Sequence, residues 1–219
     1  MTSWIHLNPG AASFICDNYD IGAESQALSF HEQLPHYDET PLHALPSVAK
    51  ELGLGQVFLK DESNRFGLPS FKILGASWAI FRAVSDRLGL VFDTTRTEGE
   101  ELLSKLGDAA RQEGFWLVTC TEGNWGRAVA RMAKYLGIKA KILVPDFMPD
   151  TTRTRIRNEG AEVVVVNGSY DDAVAVTRRE AERDEKAILT MDMGWEGYEA
   201  IPQVGFNMPL LGFQMLTTH

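Results

Sequence analysis

The chain has 219 residues, of which 44% are hydrophobic and 23% are charged, a balance typical of a globular protein with a sizeable core. Its 21 basic and 30 acidic residues give a formal net charge of −9, which argues against a nucleic-acid or anionic-membrane partner, because such surfaces need clustered lysine and arginine. The two cysteines, Cys16 and Cys120, have neither a metal-type spacing nor a disulfide framework, so we expect reduced thiols and no metal site. No secretory signal and no apolar run of membrane-spanning length is recognised in the sequence, so a cytoplasmic location is expected.

The first part of the chain is predicted to be an arm rather than a domain. Residues 1–39 contain scattered prolines, glycines and aromatic residues without a helical or strand period. From residue 40 onward we predict a turn, a short helix closed by Gly53, and a short strand at 57–60. Residues 40–219 are therefore predicted to form one α/β domain, around which the arm wraps.

Apolar strands then alternate with helices. The strands are predicted at residues 116–120, 140–145, 161–167 and 187–192, and the helices at 69–82, 96–113, 124–136, 151–159, 170–184 and 201–216. This alternation is typical of an open parallel sheet with helices on both faces. In such sheets a ligand binds beyond the carboxyl ends of the strands.

Two places at these strand ends carry candidate functional residues. The segment TEGNWGR, residues 121–127, follows the first strand; Gly123 allows a tight turn, and Asn124 suits a helix N-cap beside amides that could bind an anion. A plain capped turn is the alternative. Asp192 ends the last predicted strand and is a candidate acid or base, although it could equally cap the turn that follows.

A third candidate is Lys72, near the start of the helix predicted at 69–82. A lysine there opposes the helix dipole. Phe71 precedes it and small apolar residues follow it, so we expect the ammonium to be desolvated and the amine to be a nucleophile. The alternative is a surface lysine with a solvated head group.

Together these stretches resemble one enzyme family. The segments KDESNRFGLPSFKILGASWAI (60–80), TCTEGNWGR (119–127) and MDMGWEGYEAIP (191–202), with SYDDAV at 169–174, are similar to signatures of the diaminopropionate ammonia-lyases. These are pyridoxal-phosphate enzymes of fold type II, the tryptophan-synthase-β-like fold. The resemblance runs from about residue 40 to about residue 215, and it implies the smaller domain of that fold plus an N-terminal segment.

The resemblance implies a role for several residues. Lys72 would carry the cofactor covalently and move the α-proton in an α,β-elimination, while Glu122 and Asp192 would assist at the substrate. Asn124 and Gly123 would contact the cofactor ring. Phe71, Trp125 and Trp195 are predicted to line the substrate pocket.

The sequence also departs from the family. Glu122 and Trp125 stand where the family has aspartate and histidine, and the chain ends after about half of the family's length, before the glycine-rich loop that binds the cofactor phosphate.

Three functions follow as hypotheses. The chain could be a lyase whose site is completed in a homodimer or by a partner, a cofactor-independent relative that eliminates, isomerises or cyclises another small molecule, or a non-catalytic binding partner. In each case an apolar patch is expected where the second half would pack.

Overall fold

The computed structural model describes residues 21–96 and 99–204, with only the backbone of residues 21–24. Its elements in chain order are α1 (Ile21–Glu32), β1 (Leu42–Ala44), α2 (Pro46–Leu52), β2 (Phe58–Lys60), α3 (Lys72–Leu88), α4 (Gly99–Glu113), β3 (Trp116–Cys120), α5 (Asn124–Leu136), β4 (Lys139–Pro145), α6 (Asp150–Arg157), β5 (Glu162–Val166), α7 (Tyr170–Arg183) and β6 (Ala187–Leu189). Residues 200–204 begin a further helix.

The predicted parallel sheet is confirmed. Strands β3 to β6 pair in the order β5-β4-β3-β6, and each pair is parallel. The central strands β3 and β4 read WLVTC and KAKILVP, and their residues 117–120 and 142–145 are buried without interruption, because both faces of a parallel sheet are covered.

Helices cover both faces of this sheet. Leu117 and Ile142 belong to a core shared with α3, α4 and α5, whereas their neighbours Val118 and Leu143 belong to a second core together with Ala173 of α7. Successive side chains of a strand point to opposite faces, so the two cores lie on the two sides of the sheet. The predicted α/β class with helices on both faces is therefore correct.

The N-terminal arm and the β1–β2 pair differ from the sequence expectation. Residues 21–32 form a helix rather than an irregular segment, and Phe30 stacks on Phe81 of α3 with ring centroids 4.7 Å apart. The segment predicted as a turn before α2 contains β1, which pairs antiparallel with β2. Neither feature was predicted, because β1 is only three residues long and α1 contains mostly small and polar residues.

Two predicted boundaries at the carboxyl edge of the sheet are wrong. Helix α3 begins at Lys72 rather than at residue 69, and the Oγ of Ser70 accepts a hydrogen bond from the backbone N–H of Lys72. Strand β6 ends at Leu189, so Asp192 lies three residues beyond the strand and not at its end. The last predicted helix begins by residue 200, and its residues 205–216 lie outside the described residues. Within the described ranges no helix is long and apolar enough to cross a bilayer.

Candidate active site

Lys72 and Asp192 meet at the carboxyl edge of the sheet. The Nζ of Lys72 lies 2.7 Å from Oδ2 of Asp192, although the two residues are 120 positions apart in the sequence. The expectation of a desolvated amine is wrong, since the side chains are 39% and 26% exposed. An ion pair this accessible contributes only about 0.2–1 kcal/mol to stability, so the pair is more informative about function than about folding.

Tyr198 fixes the turn that carries Asp192. Its hydroxyl accepts a hydrogen bond from the N–H of Met191 at 2.8 Å and donates one to the carbonyl of Leu189 at 2.9 Å. The chain is thus bridged from the end of β6 to the residue next to Asp192. Tyr198 belongs to the segment MDMGWEGYEAIP, and the sequence pattern alone assigns it no role.

The loop before Lys72 is also anchored by buried charges. The guanidinium of Arg131 donates to the carbonyl of Phe66 at 3.0 Å and to Glu159 at 2.6 Å. Phe66 is buried and has a φ of 54°, a left-handed conformation that is uncommon for a bulky residue. Arg65, next to it, binds the carboxylate of Glu62 through two nitrogens. These contacts hold the chain that leads into α3 and therefore restrict where Lys72 can lie.

The turn between β3 and α5 is capped by Thr121 rather than by Asn124. The Oγ1 of Thr121 accepts hydrogen bonds from the amides of Gly123 and Gly126, each at 3.0 Å. Gly123 is the N-cap, with φ 158° and ψ −98°, and Asn124 is the first residue of the helix. The N-cap prediction for Asn124 is thus wrong, but the same turn leaves Glu122 and Asn124 exposed at the carboxyl end of β3.

A buried thiol and a half-buried phenol lie beside the two acidic candidates. Burial raises the pKa of Cys120 to about 12, and the charges of Asp192 and Glu122 act in the same direction. Partial burial likewise raises the pKa of Tyr170, and the neighbouring Cys120 and the same two carboxylates act in the same direction. Cys120 is therefore a protonated, unreactive thiol. Both carboxylates lie close enough to the thiol and the phenol for their charges to act on them.

The aromatic candidates are placed differently from one another. Phe71 is exposed and adjoins Lys72. Trp125 is only 4% exposed and donates from Nε1 to the carbonyl of Thr190 at 2.9 Å, so it is a core residue and not a wall of an open pocket. Trp195 stacks on Tyr198 and lines a cavity beside β6 that contains none of Lys72, Glu122, Asn124 or Asp192. The prediction that all three line one pocket is therefore wrong for Trp125 and Trp195.

The amides at the strand ends bear on cofactor binding. Those of Gly123 and Gly126 are bound by Thr121, as described above. At the start of α7 the amide of Ser169 donates to the carboxylate of Asp172 at 2.8 Å, and the Asp172 amide donates to Ser169 Oγ. A phosphate needs free amides and no competing carboxylate. In the part of the chain that the structure describes, the residues at this edge therefore fit the aldehyde and ring of pyridoxal phosphate, through Lys72 and Asn124, but not its phosphate.

No group of three or more histidine, cysteine, aspartate or glutamate residues suited to a metal ion occurs within residues 21–96 and 99–204.

Comparison with known proteins identifies the family of this chain. A family model described as pyridoxal-phosphate dependent enzyme matches residues 33–203. A diaminopropionate ammonia-lyase of Salmonella typhimurium is 40% identical over 190 residues, which are 84% of this chain and 44% of that protein. The chain thus spans less than half the length of this curated relative.

Solved structures give the same relation. A diaminopropionate ammonia-lyase of Escherichia coli, crystallised with an aminoacrylate–PLP azomethine reaction intermediate, superposes with a TM-score of 0.75 and 30% identity, over 92% of this chain and 50% of that chain. A pyridoxal 5′-phosphate-dependent aspartate racemase with 21% identity and a TM-score of 0.62 shares the fold. The resemblance found in the sequence is confirmed: the chain belongs to the pyridoxal-phosphate dependent enzyme family and is related to the diaminopropionate ammonia-lyases.

Proposed function

We propose that this chain supplies the lysine-bearing part of a pyridoxal-phosphate-dependent lyase site that eliminates the β-amine of a small diamino acid such as 2,3-diaminopropionate. The observation that carries the proposal is the 2.7 Å contact between Lys72 Nζ and Asp192 Oδ2. It joins two of the sequence stretches that resemble the ammonia-lyases, and it places a proton donor and a proton acceptor together at the ligand-binding edge of the sheet.

Each residue has a distinct task in this proposal. Lys72 would hold the cofactor covalently, with Gly123 and Asn124 at its ring, and the bound cofactor withdraws electrons from the α-carbon of the substrate. The Nζ of Lys72 would take the α-proton of the substrate and would pass it to the departing β-amine, which leaves as ammonia. Oδ2 of Asp192 would orient that nitrogen through the hydrogen bond that joins the two groups.

Glu122 would bind the substrate rather than contact Lys72. It is exposed at the end of β3, and its charge and that of Asp192 reach the same buried thiol. A carboxylate in this position can bind the amino group of a diamino acid through a charge-assisted hydrogen bond. Because glutamate is one methylene longer than the family's aspartate, we expect a preference for a different substrate length or enantiomer.

The phosphate of the cofactor would be bound by another polypeptide segment, since side chains of this chain already bind the amides of Gly123, Gly126 and Ser169. A surface for such a segment exists around β1, α2 and β2. Six large apolar side chains there are 39–62% exposed, namely Leu42, Val48, Leu52, Leu54, Phe58 and Leu59. A two-stranded sheet with three residues per strand is marginal unless something packs on it. We propose that a second copy of the chain or a partner protein covers this patch and completes the site.

Cofactor titration tests the proposal. Purified protein mixed with pyridoxal phosphate should develop a visible absorbance band, which Lys72→Ala abolishes. Lys134→Ala, in the last turn of α5, is the matched control and should keep the band. Ammonia release from 2,3-diaminopropionate should follow the same pattern and should fall in Asp192→Asn. A band of equal size in both lysine variants would refute the role of Lys72.

Cofactor-independent chemistry at the same pair is the second candidate. It is favoured by the hydrogen bonds that already occupy the amides at the starts of α5 and α7. In that case an elimination, isomerisation or cyclisation of another small molecule would persist after exhaustive removal of pyridoxal phosphate and would fall in Asp192→Asn. Loss of all activity on cofactor removal, restored by adding it back, would exclude this candidate.

A further inference from the structure

A cavity of about 400 Å³ lies beside β6, the edge strand of the sheet, away from the Lys72–Asp192 pair. Its walls come from α3, α7, β6 and the turn formed by residues 195–198. Small side chains from three different elements leave the space open, namely Ala83, Ala181 and Ala187. The volume lies within the range of about 300–1,000 Å³ found for small-molecule sites.

Arginine and aromatic side chains line this cavity and make its surface positively charged and aromatic. The ring of Trp195 stacks on Tyr198 with centroids 4.4 Å apart, and the guanidinium of Arg178 lies 4.7 Å from the centroid of Trp195. Within the described residues Arg178 has no carboxylate within ion-pair distance, and it remains exposed. A second guanidinium, that of Arg87, and one carboxylate, that of Glu182, also line the cavity.

The charges and the apolar surface of the cavity together indicate the chemical class of its ligand. Two guanidinium groups and one carboxylate give the cavity a local positive excess in a chain whose formal net charge is −9. Guanidinium groups bind carboxylates through paired hydrogen bonds. Ile188 and Leu189 of β6 contribute apolar surface to the cavity, and this surface favours an apolar ligand body through the water it releases.

We infer that the cavity binds a small monocarboxylate with an apolar or aromatic body, whose carboxylate pairs with Arg178. The site is separate from the proposed active site, and the inference does not depend on cofactor binding. The cavity is nevertheless connected to the proposed active site through Tyr198. This residue lines the cavity, and its hydroxyl accepts a hydrogen bond from the amide of Met191. A bound ligand restrains Tyr198 and with it the turn that ends at Asp192.

Equilibrium dialysis with phenylacetate tests the inference directly, with phenethylamine as the ligand of opposite charge. The wild-type chain should bind phenylacetate and should bind phenethylamine at least tenfold more weakly. Arg178→Gln should weaken phenylacetate binding at least tenfold, while Arg179→Gln, at the next exposed position of α7, should leave it unchanged. Ala181→Leu, which fills the space, should abolish binding, whereas Lys72→Ala should keep it.

Hydrogen exchange provides the second readout. Phenylacetate should slow exchange of the backbone amides of residues 191–198 in the wild-type chain and not in Arg178→Gln. No binding at millimolar phenylacetate, equal loss in both arginine variants, or protection confined to other parts of the chain would each overturn the inference. Loss of phenylacetate binding in Lys72→Ala would instead place the ligand in the active site and would also overturn it.

Discussion

Acid should weaken the attachment of α1 to α3 through a single buried histidine. His31 is 5% exposed, and its Nε2 donates to the carbonyl of Leu74 at 2.9 Å and lies 3.1 Å from Ser77 Oγ. Burial lowers the pKa of His31 from 6.5 to about 4; the hydrogen bond to Leu74 opposes this effect, and the charge of Arg65 adds to it. His31 is therefore neutral in the folded protein over most of the pH range.

The sign and the size of the effect follow from proton linkage. Below pH 6.5 the unfolded chain binds a proton at this histidine that the folded chain excludes until about pH 4, so stability is full above pH 6.5 and is lost as the pH falls through this window. The two pKa values predict a loss of about 2 kcal/mol in unfolding free energy between pH 8 and pH 5, rising to about 3 kcal/mol at pH 4.

Urea unfolding of three proteins at pH 8 and pH 5 measures this loss. His31→Gln should be less stable than the wild type at pH 8 but should lose about 2 kcal/mol less between the two pH values. The control is His43→Gln, since the His43 side chain is 52% exposed beside Asp61 and its replacement should leave the pH dependence of the wild type nearly intact. If His31→Gln and the wild type lose the same stability on acidification, the reasoning from burial is refuted.

Two further stability predictions concern the turns of the active site, and both are read by urea unfolding. Gly126→Ala should lower the free energy of unfolding by about 1–3 kcal/mol, because an added Cβ would lie 2.3 Å from Cγ2 of Thr121. Gly55→Ala is the control, since an added Cβ there meets nothing within 4 Å, and it should change the free energy of unfolding by less than about 0.5 kcal/mol. Equal effects of the two alanines would contradict the packing argument. Tyr198→Phe should cost about 1–3 kcal/mol, because the amide of Met191 loses its hydrogen-bond partner; an unchanged unfolding midpoint would show that water replaces the hydroxyl without loss.

The sheet was predictable because its strands carry a strong local signal. Apolar-rich runs such as WLVTC (116–120) and ILVP (142–145) favour burial on both faces, and the helices between them end at glycines such as Gly137, which adopts the left-handed conformation. Helix α1 carries a weaker signal. Its buried apolar residues are Ala27 and Phe30, and Leu34 is the first buried apolar residue beyond it. Their spacing of three and four fits one helical face, a short pattern that is easily overlooked among small and polar residues.

The contacts of the candidate site residues were only partly predictable. The strand-end rule selected Asp192, but the chain reaches it through a turn held by Tyr198, and that contact depends on residues nine positions apart. The exposure of Lys72 depends on what packs around it in three dimensions, so small apolar neighbours in the sequence could not establish a dry amine. Trp125 was misplaced for the same reason, because its partner is the distant Thr190 carbonyl.

Peptide mapping after borohydride reduction tests the central claim most directly, namely that Lys72 is the amine poised to hold pyridoxal phosphate. The protein is mixed with a modest excess of the cofactor, reduced, digested and analysed by mass spectrometry. We expect the added mass on the peptide that contains Lys72, with little on exposed lysines such as Lys105, and we expect Asp192→Asn to reduce that selectivity. Label spread over the surface lysines, with Lys72 no more modified than Lys105, would contradict the account.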